Sequence, residues 1–95
     1  MTRSQVRGYL PLITQKNVSK VSREKGFTKM YLKGLDPKKT MATKNQTWHQ
    51  KRHNFLKRQL ASDNDLFTRD KQLSRYHLAL IAWAYSPIAK IRNNK

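Results

Sequence analysis

The chain has 95 residues, room for a single small domain. It carries 21 Lys+Arg against 5 Asp+Glu, for a formal net charge of +16, and it has no cysteine. Those figures exclude a large multi-substrate enzyme, a disulfide framework, a thiolate zinc site and a cysteine nucleophile, and an unbalanced charge of this size asks for a polyanionic partner.

Hydrophobic residues make up 37% of the chain and aromatics 9%. The first figure is below the globular norm, but a disordered basic tail seldom holds so many rings. The composition therefore predicts a small core with basic, irregular ends. The longest apolar run, Leu78–Tyr85, is far short of the ~18 residues of a membrane span. Met1–Ile13 has no apolar signal-peptide region. The expected location is intracellular, in cytoplasm or nucleoid or packaged with nucleic acid, with no membrane partner.

Residues 1–18 read as a basic irregular arm. Arg3, Arg7 and Lys16 are scattered among the turn formers Gly8 and Pro11, and the short apolar patch at 9–13 is available to dock on the core or on a partner. A first helix is predicted over about 19–33, capped by Ser22, or starting at Gly26. Phe27, Met30 and Tyr31 share one face of it at i, i+3, i+4 spacing. Gly34-Leu35 is the pattern of a left-handed helix stop, and Asp36-Pro37 prevents continuation. The opposite face carries Arg23, Lys25, Lys29 and Lys33, a like-charged row that makes most sense beside a phosphate backbone.

Residues 36–46 lack periodicity and read as a basic linker. A second helix is predicted over about 46–61, capped by Asn45 or Thr47, with Trp48, Phe55, Leu56, Gln59 and Leu60 as a narrow apolar stripe. Ala61–Asp65 is a polar stop, and a short hairpin is expected at 66–73 around an Asp70-Lys71 turn. Ser74 caps a third helix, predicted to end at Ala84 or Tyr85. That helix is apolar almost all round and belongs at the centre of the domain. Ser86-Pro87 ends it, and 87–95 read as a basic tail. The expected fold is mostly α, a three-helix domain over 19–86 (helices at about 19–33, 46–61 and 74–85) between irregular termini.

The second helix carries the strongest functional signal. Lys51, Arg52, Lys57 and Arg58 recur at about two-turn spacing, so cations can line a ridge that bridges successive phosphates. His49, Gln50, His53 and Asn54 are interleaved with them and can bond bases, sugars or phosphates. Arg75 and His77 open the third helix, where a phosphate or acidic group can be received. His49 and His53 have the spacing of two metal ligands on a helix, but no carboxylate accompanies them and Lys51 and Arg52 oppose a dication, so no metal is expected. Asp63, Asp65 and Asp70 read as a cap-and-turn cluster. There is no glycine-rich phosphate loop and no nucleophile–base motif. Trp83 and Tyr85 read as core residues, with Trp48 at the core edge.

These observations predict a non-catalytic, cofactor-free nucleic-acid-binding protein that works through phosphate contacts. A basic helix suited to a major groove favours DNA over RNA, in the manner of a phage or mobile-element accessory factor. Two alternatives stand beside it. One is an interaction or inhibitor protein docking its basic face on an acidic protein surface, anchored by the 9–13 patch. The other is a ribosomal or other ribonucleoprotein component.

Overall fold

The N-terminal segment is a helix, α1 (Arg3–Gln15), where the sequence predicts an irregular arm. Its start is fixed by a reciprocal capping box: Gln5 N–H donates to Thr2 Oγ1 (3.1 Å), and Thr2 N–H donates to Gln5 Oε1 (2.8 Å). Val6, Tyr9, Leu10 and Ile13 recur at i, i+3, i+4, i+7, and Val6 and Ile13 are fully buried. Pro11 lies on the exposed side of the helix. There it costs one intrahelical bond, which burial of the opposite face outweighs.

The protein is described here from a computed structural model, for residues 1–16, 18, 26–62 and 64–93, the side chains of Arg92 and Asn93 excepted. After α1 come α2 (Phe27–Leu32), β1 (Met41–Thr43), β2 (Gln46–Thr47), α3 (Trp48–Leu60), α4 (Arg75–Ala82) and α5 (Ala89–Asn93). The mostly-α expectation holds, but the described residues form five helices rather than the expected three, and two corrections join that of α1. The predicted linker and the first two residues of the predicted second helix form an antiparallel hairpin pairing Met41 with Thr47 and Thr43 with Gln46, so the helix starts at Trp48. The predicted irregular tail contains α5, tied to α1 by a bond from Gln5 Nε2 to the Ile91 carbonyl (3.2 Å). The expected hairpin at 66–73 is present as a single bridge between Phe67 and Leu73.

Helix α2 starts at the alternative point, with Gly26 as N-cap. The predicted stretch 19–25, with Ser22, Arg23 and Lys25, lies outside the described residues. The stop falls where the sequence puts it. Gly34 has φ +85°, its N–H donates to the Tyr31 carbonyl (3.0 Å), and the Leu35 N–H donates to the Met30 carbonyl (3.4 Å). The same motif ends α4 without glycine. Ala84 has φ +59°, its N–H donates to the Ile81 carbonyl (2.8 Å), and the Tyr85 N–H donates to the Leu80 carbonyl (3.1 Å). An alanine in the left-handed region costs about 1 kcal/mol. Ala84 is buried in the core, where its methyl group packs.

Helix α4 is the centre, as predicted, and α1 packs chiefly against it. Val6, Ile13, Val18, Phe27, Met30, Leu78, Ile81, Ala82, Trp83 and Ala84 form one buried cluster. Aromatic rings dominate one side of it. Trp83 stacks on Phe27 (5.2 Å between ring centroids) and on Phe55 (4.7 Å), with Trp48 tilted against it at 6.1 Å. The Thr28 hydroxyl donates to the Ala82 carbonyl and ties α2 to α4.

Several arginines are spent on helix ends. Arg3 Nε donates to the Tyr31 carbonyl (2.7 Å) and Arg3 Nη2 to that of Leu35 (3.1 Å), while Arg7 Nη2 reaches the Leu32 carbonyl (3.2 Å). Guanidinium groups thus satisfy the negative, orphan-carbonyl end of α2. In a chain so poor in carboxylates, helix C-termini take their place as partners for cations. Among the described residues, no helix is long and apolar enough to cross a membrane.

Candidate nucleic-acid interface

Helix α3 spans Trp48–Leu60 and starts at a second capping box. Gln50 N–H donates to Thr47 Oγ1 (3.2 Å), and Thr47 N–H donates to Gln50 Oε1 (2.9 Å). The next free amides are also taken: Trp48 N–H donates to the Thr40 carbonyl (3.0 Å) and His49 N–H to that of Pro37 (2.9 Å). The helix N-terminus is closed by its own chain, so what α3 presents outward is its side.

That side divides cleanly. Trp48, Arg52, Phe55, Leu56 and Gln59 face the domain, while His49, Gln50, Lys51, His53, Asn54, Lys57 and Arg58 are exposed. The two sets lie on opposite halves of a helix turning 100° per residue. No Asp or Glu occurs in α3. Its outward half has two shallow hollows meeting at Asn54. One is formed with the hairpin by Asn45, Gln46, His49, Gln50 and His53. The other is lined by Gln46, Lys51, Lys57, Arg58 and Ala61. Lys51 Nζ sits 5.3 Å from the centre of the Trp48 ring, which anchors its stem without consuming its charge.

Arg52 does not belong with these cations. Its Nε donates to the Trp83 carbonyl (2.7 Å) and its Nη2 to the Ala84 carbonyl (2.9 Å), closing the C-terminal end of α4. Burial pushes its pKa down, partly offset by the nearby Tyr31 and Tyr85, and the guanidinium stays charged. The sequence held the signal: Arg52 is four residues after Trp48, three before Phe55 and seven before Gln59, on the buried stripe. Leu60, predicted within that stripe, is instead 43% exposed.

The remaining predicted residues are spread over other elements. Lys29 and Lys33 are exposed, the first on α2 and the second at its C-cap. Arg75 is exposed in the first turn of α4. Arg23 and Lys25 lie outside the described residues. The structure gathers His49, His53, Asn54, Lys51, Lys57 and Arg58 on one surface and adds Asn45 and Gln46 from the hairpin. Sequence reasoning passed over these last two because a strand of two residues leaves no period to read; the turn-forming Asn45 was its one trace.

His77 is fully buried. Its Nδ1 lies 3.1 Å from the Leu66 carbonyl and its Nε2 2.7 Å from Ser86 Oγ. A carbonyl only accepts, so Nδ1 carries the proton and the Ser86 hydroxyl donates to Nε2. Ser86 is fully buried as well, so the pair is a core strut and is closed to any substrate. Among the described residues, no three His, Asp or Glu side chains cluster as metal ligands would.

Burial lowers the His77 pKa below its ordinary 6.5, with the Leu66 carbonyl opposing that shift in part. Unfolded His77 therefore binds a proton at a higher pH than folded His77. Stability is fully present above about pH 6.5 and falls as pH drops toward the folded value, by up to about 1.4 kcal/mol per pH unit. Equilibrium denaturation between pH 7.5 and 5.5 should show this loss, and His77→Gln should flatten it. An equal slope in the variant would assign the pH dependence to other groups.

No protein-family model, curated protein or solved structure matches this chain. The functional reading therefore rests on the geometry of the site.

Proposed function

We propose that this chain is a non-catalytic, intracellular nucleic-acid-binding protein, with DNA favoured over RNA, that grips phosphates with the outward side of α3. The observation that carries this reading is the grouping of Lys51, Lys57 and Arg58 with His49, His53 and Asn54 on a helix face free of carboxylates. Cations left without anionic neighbours retain their full attraction for phosphate, and each phosphate neutralised releases condensed counterions. The rival reading, a protein docking its basic face on an acidic protein surface with residues 9–13 as anchor, finds part of that anchor committed to the core. Ile13 is buried and Tyr9 packs against the core, which leaves Pro11 and Leu12 exposed in that patch.

The test is the salt dependence of binding. The variant Lys51→Gln/Lys57→Gln/Arg58→Gln, which spares Arg52, should lower the slope of log affinity against log salt by about two to three units. Its thermal unfolding should be close to that of the parent, because all three side chains are exposed. An unchanged slope would move the contact surface off α3. Absence of binding to any duplex or single strand at about 50 mM salt, where non-specific electrostatic binding is strong, would overturn the reading.

A further inference from the structure

A surface built only to hold phosphates needs cations and little else. The outward side of α3 has more. Beside Lys51 and Arg58 lie the amide and imidazole side chains of His49, Gln50, His53 and Asn54, joined by Asn45 and Gln46 of the hairpin. Groups of that kind match the donor and acceptor pattern of base edges.

The two amides on the outward side of this helix have different fates. Gln50 Oε1 already accepts from the Thr47 N–H, which fixes its amide at the helix cap. Asn54, one turn further along, is exposed and its side chain makes no hydrogen bond among the described residues; its carboxamide can present both donor and acceptor. A paired donor and acceptor on one planar group is the complement of adenine N7 and N6 in a major groove.

The shape of the surface selects the form of nucleic acid. Reading unpaired bases requires aromatic platforms on which they stack. Phe27, Trp48, Phe55 and Trp83 pack against one another, Lys51 lies over the half-buried Trp48 ring, and the outward side of α3 has no exposed Phe, Tyr or Trp, only the smaller imidazoles of His49 and His53. Its face is a 13-residue helix without proline or glycine. Such a rod, about 20 Å long, enters the major groove of B-form DNA. The corresponding groove of an RNA duplex is too deep and narrow for side chains to read.

We infer that α3 is a reading helix for the major groove of duplex DNA, with Asn54 the residue that specifies an adenine and Lys51, Lys57 and Arg58 its phosphate clamps. Gln50 serves the helix cap, and His53 lies beside Asn54 at the same base steps. This inference rests on the nucleic-acid reading above.

The experiment is selection of bound DNA from a pool of random duplexes by the full chain, followed by titration of the enriched duplex and of variants with each position changed. The parent should enrich a motif containing an A·T pair, and replacing that adenine should weaken binding by about 5- to 150-fold. Asn54→Ala should lose the preference at that one position while binding random duplex within about threefold of the parent. Lys57→Gln should weaken all duplexes alike and keep the preference. Circular dichroism melting of both variants confirms folding. Duplex binding with no enriched motif, or a motif unchanged by Asn54→Ala, overturns the inference and leaves the proposed function standing. Preference for single-stranded DNA also overturns it while sparing the proposed function, and preference for RNA overturns both it and the choice of DNA while leaving nucleic-acid binding standing. Failure to bind any nucleic acid removes both.

Discussion

Trp83→Ala should unfold the domain, or leave it destabilised by about 3–5 kcal/mol. Trp83 is 8% exposed and lies where three elements meet. Its indole stacks between Phe27 of α2 and Phe55 of α3, and Trp48 closes another side. Removing it leaves a cavity bordered by rings from separate helices, which cannot all close on the space at once. A domain of this size holds only about 5–15 kcal/mol in total. The measurement is equilibrium urea unfolding followed by far-ultraviolet circular dichroism. A stable variant that has lost nucleic-acid binding would instead make Trp83 a stacking residue and overturn its place in the core. Trp83→Phe, which keeps a ring in the stack, should recover a substantial part of the loss.

Arg52→Gln should cost about 2–3 kcal/mol of stability, unlike the same change at Lys51, Lys57 or Arg58. The Arg52 guanidinium bridges two carbonyls at the end of α4. The Ala84 carbonyl keeps a second donor, the Met1 nitrogen at 3.1 Å, so the Trp83 carbonyl is the group left without its charged partner. Charge-assisted bonds to a partly buried acceptor are the costly ones to lose. Arg52→Lys should not restore the parent, since an ammonium on a flexible stem lacks the planar fork that meets both carbonyls. The urea midpoint should fall at constant slope. Parental stability together with a salt slope reduced by about one unit would make Arg52 a phosphate ligand and overturn the cap.

These two positions separate the roles that composition merges. A net charge of +16 invites one explanation for every cation. Arg3, Arg7 and Arg52 bond inward to helix carbonyls, while Lys51, Lys57 and Arg58 are exposed to solvent. The distinction lies in phase on the helix. Arg52 and Lys51 are neighbours in sequence and 100° apart on α3, enough to put one at the core and the other in solvent.

Much of the fold follows from local rules. The Ser74 and Thr47 caps, the Gly34 stop and the central place of α4 are read from a few adjacent residues each, because capping and left-handed turns depend on side chains within reach of their own backbone. Helix α1 was legible by the same rules, in the Thr2–Gln5 box and the spacing of Val6, Tyr9, Leu10 and Ile13. Gly8 and Pro11 masked it, since their helix penalty is intrinsic while the burial that repays it is tertiary.

The sequence by itself determined the charge, the absence of cysteine chemistry, the main helix-forming stretches and the candidate surface of α3. Only the tertiary structure decided which cations face outward, which amide is fixed at a helix cap and which rings pack against one another. The reason is physical: a cap or a periodic stripe is written in residues a few positions apart, whereas the Arg52 bridge joins residues 31 and 32 positions apart, and Trp83 is enclosed by rings from two other helices.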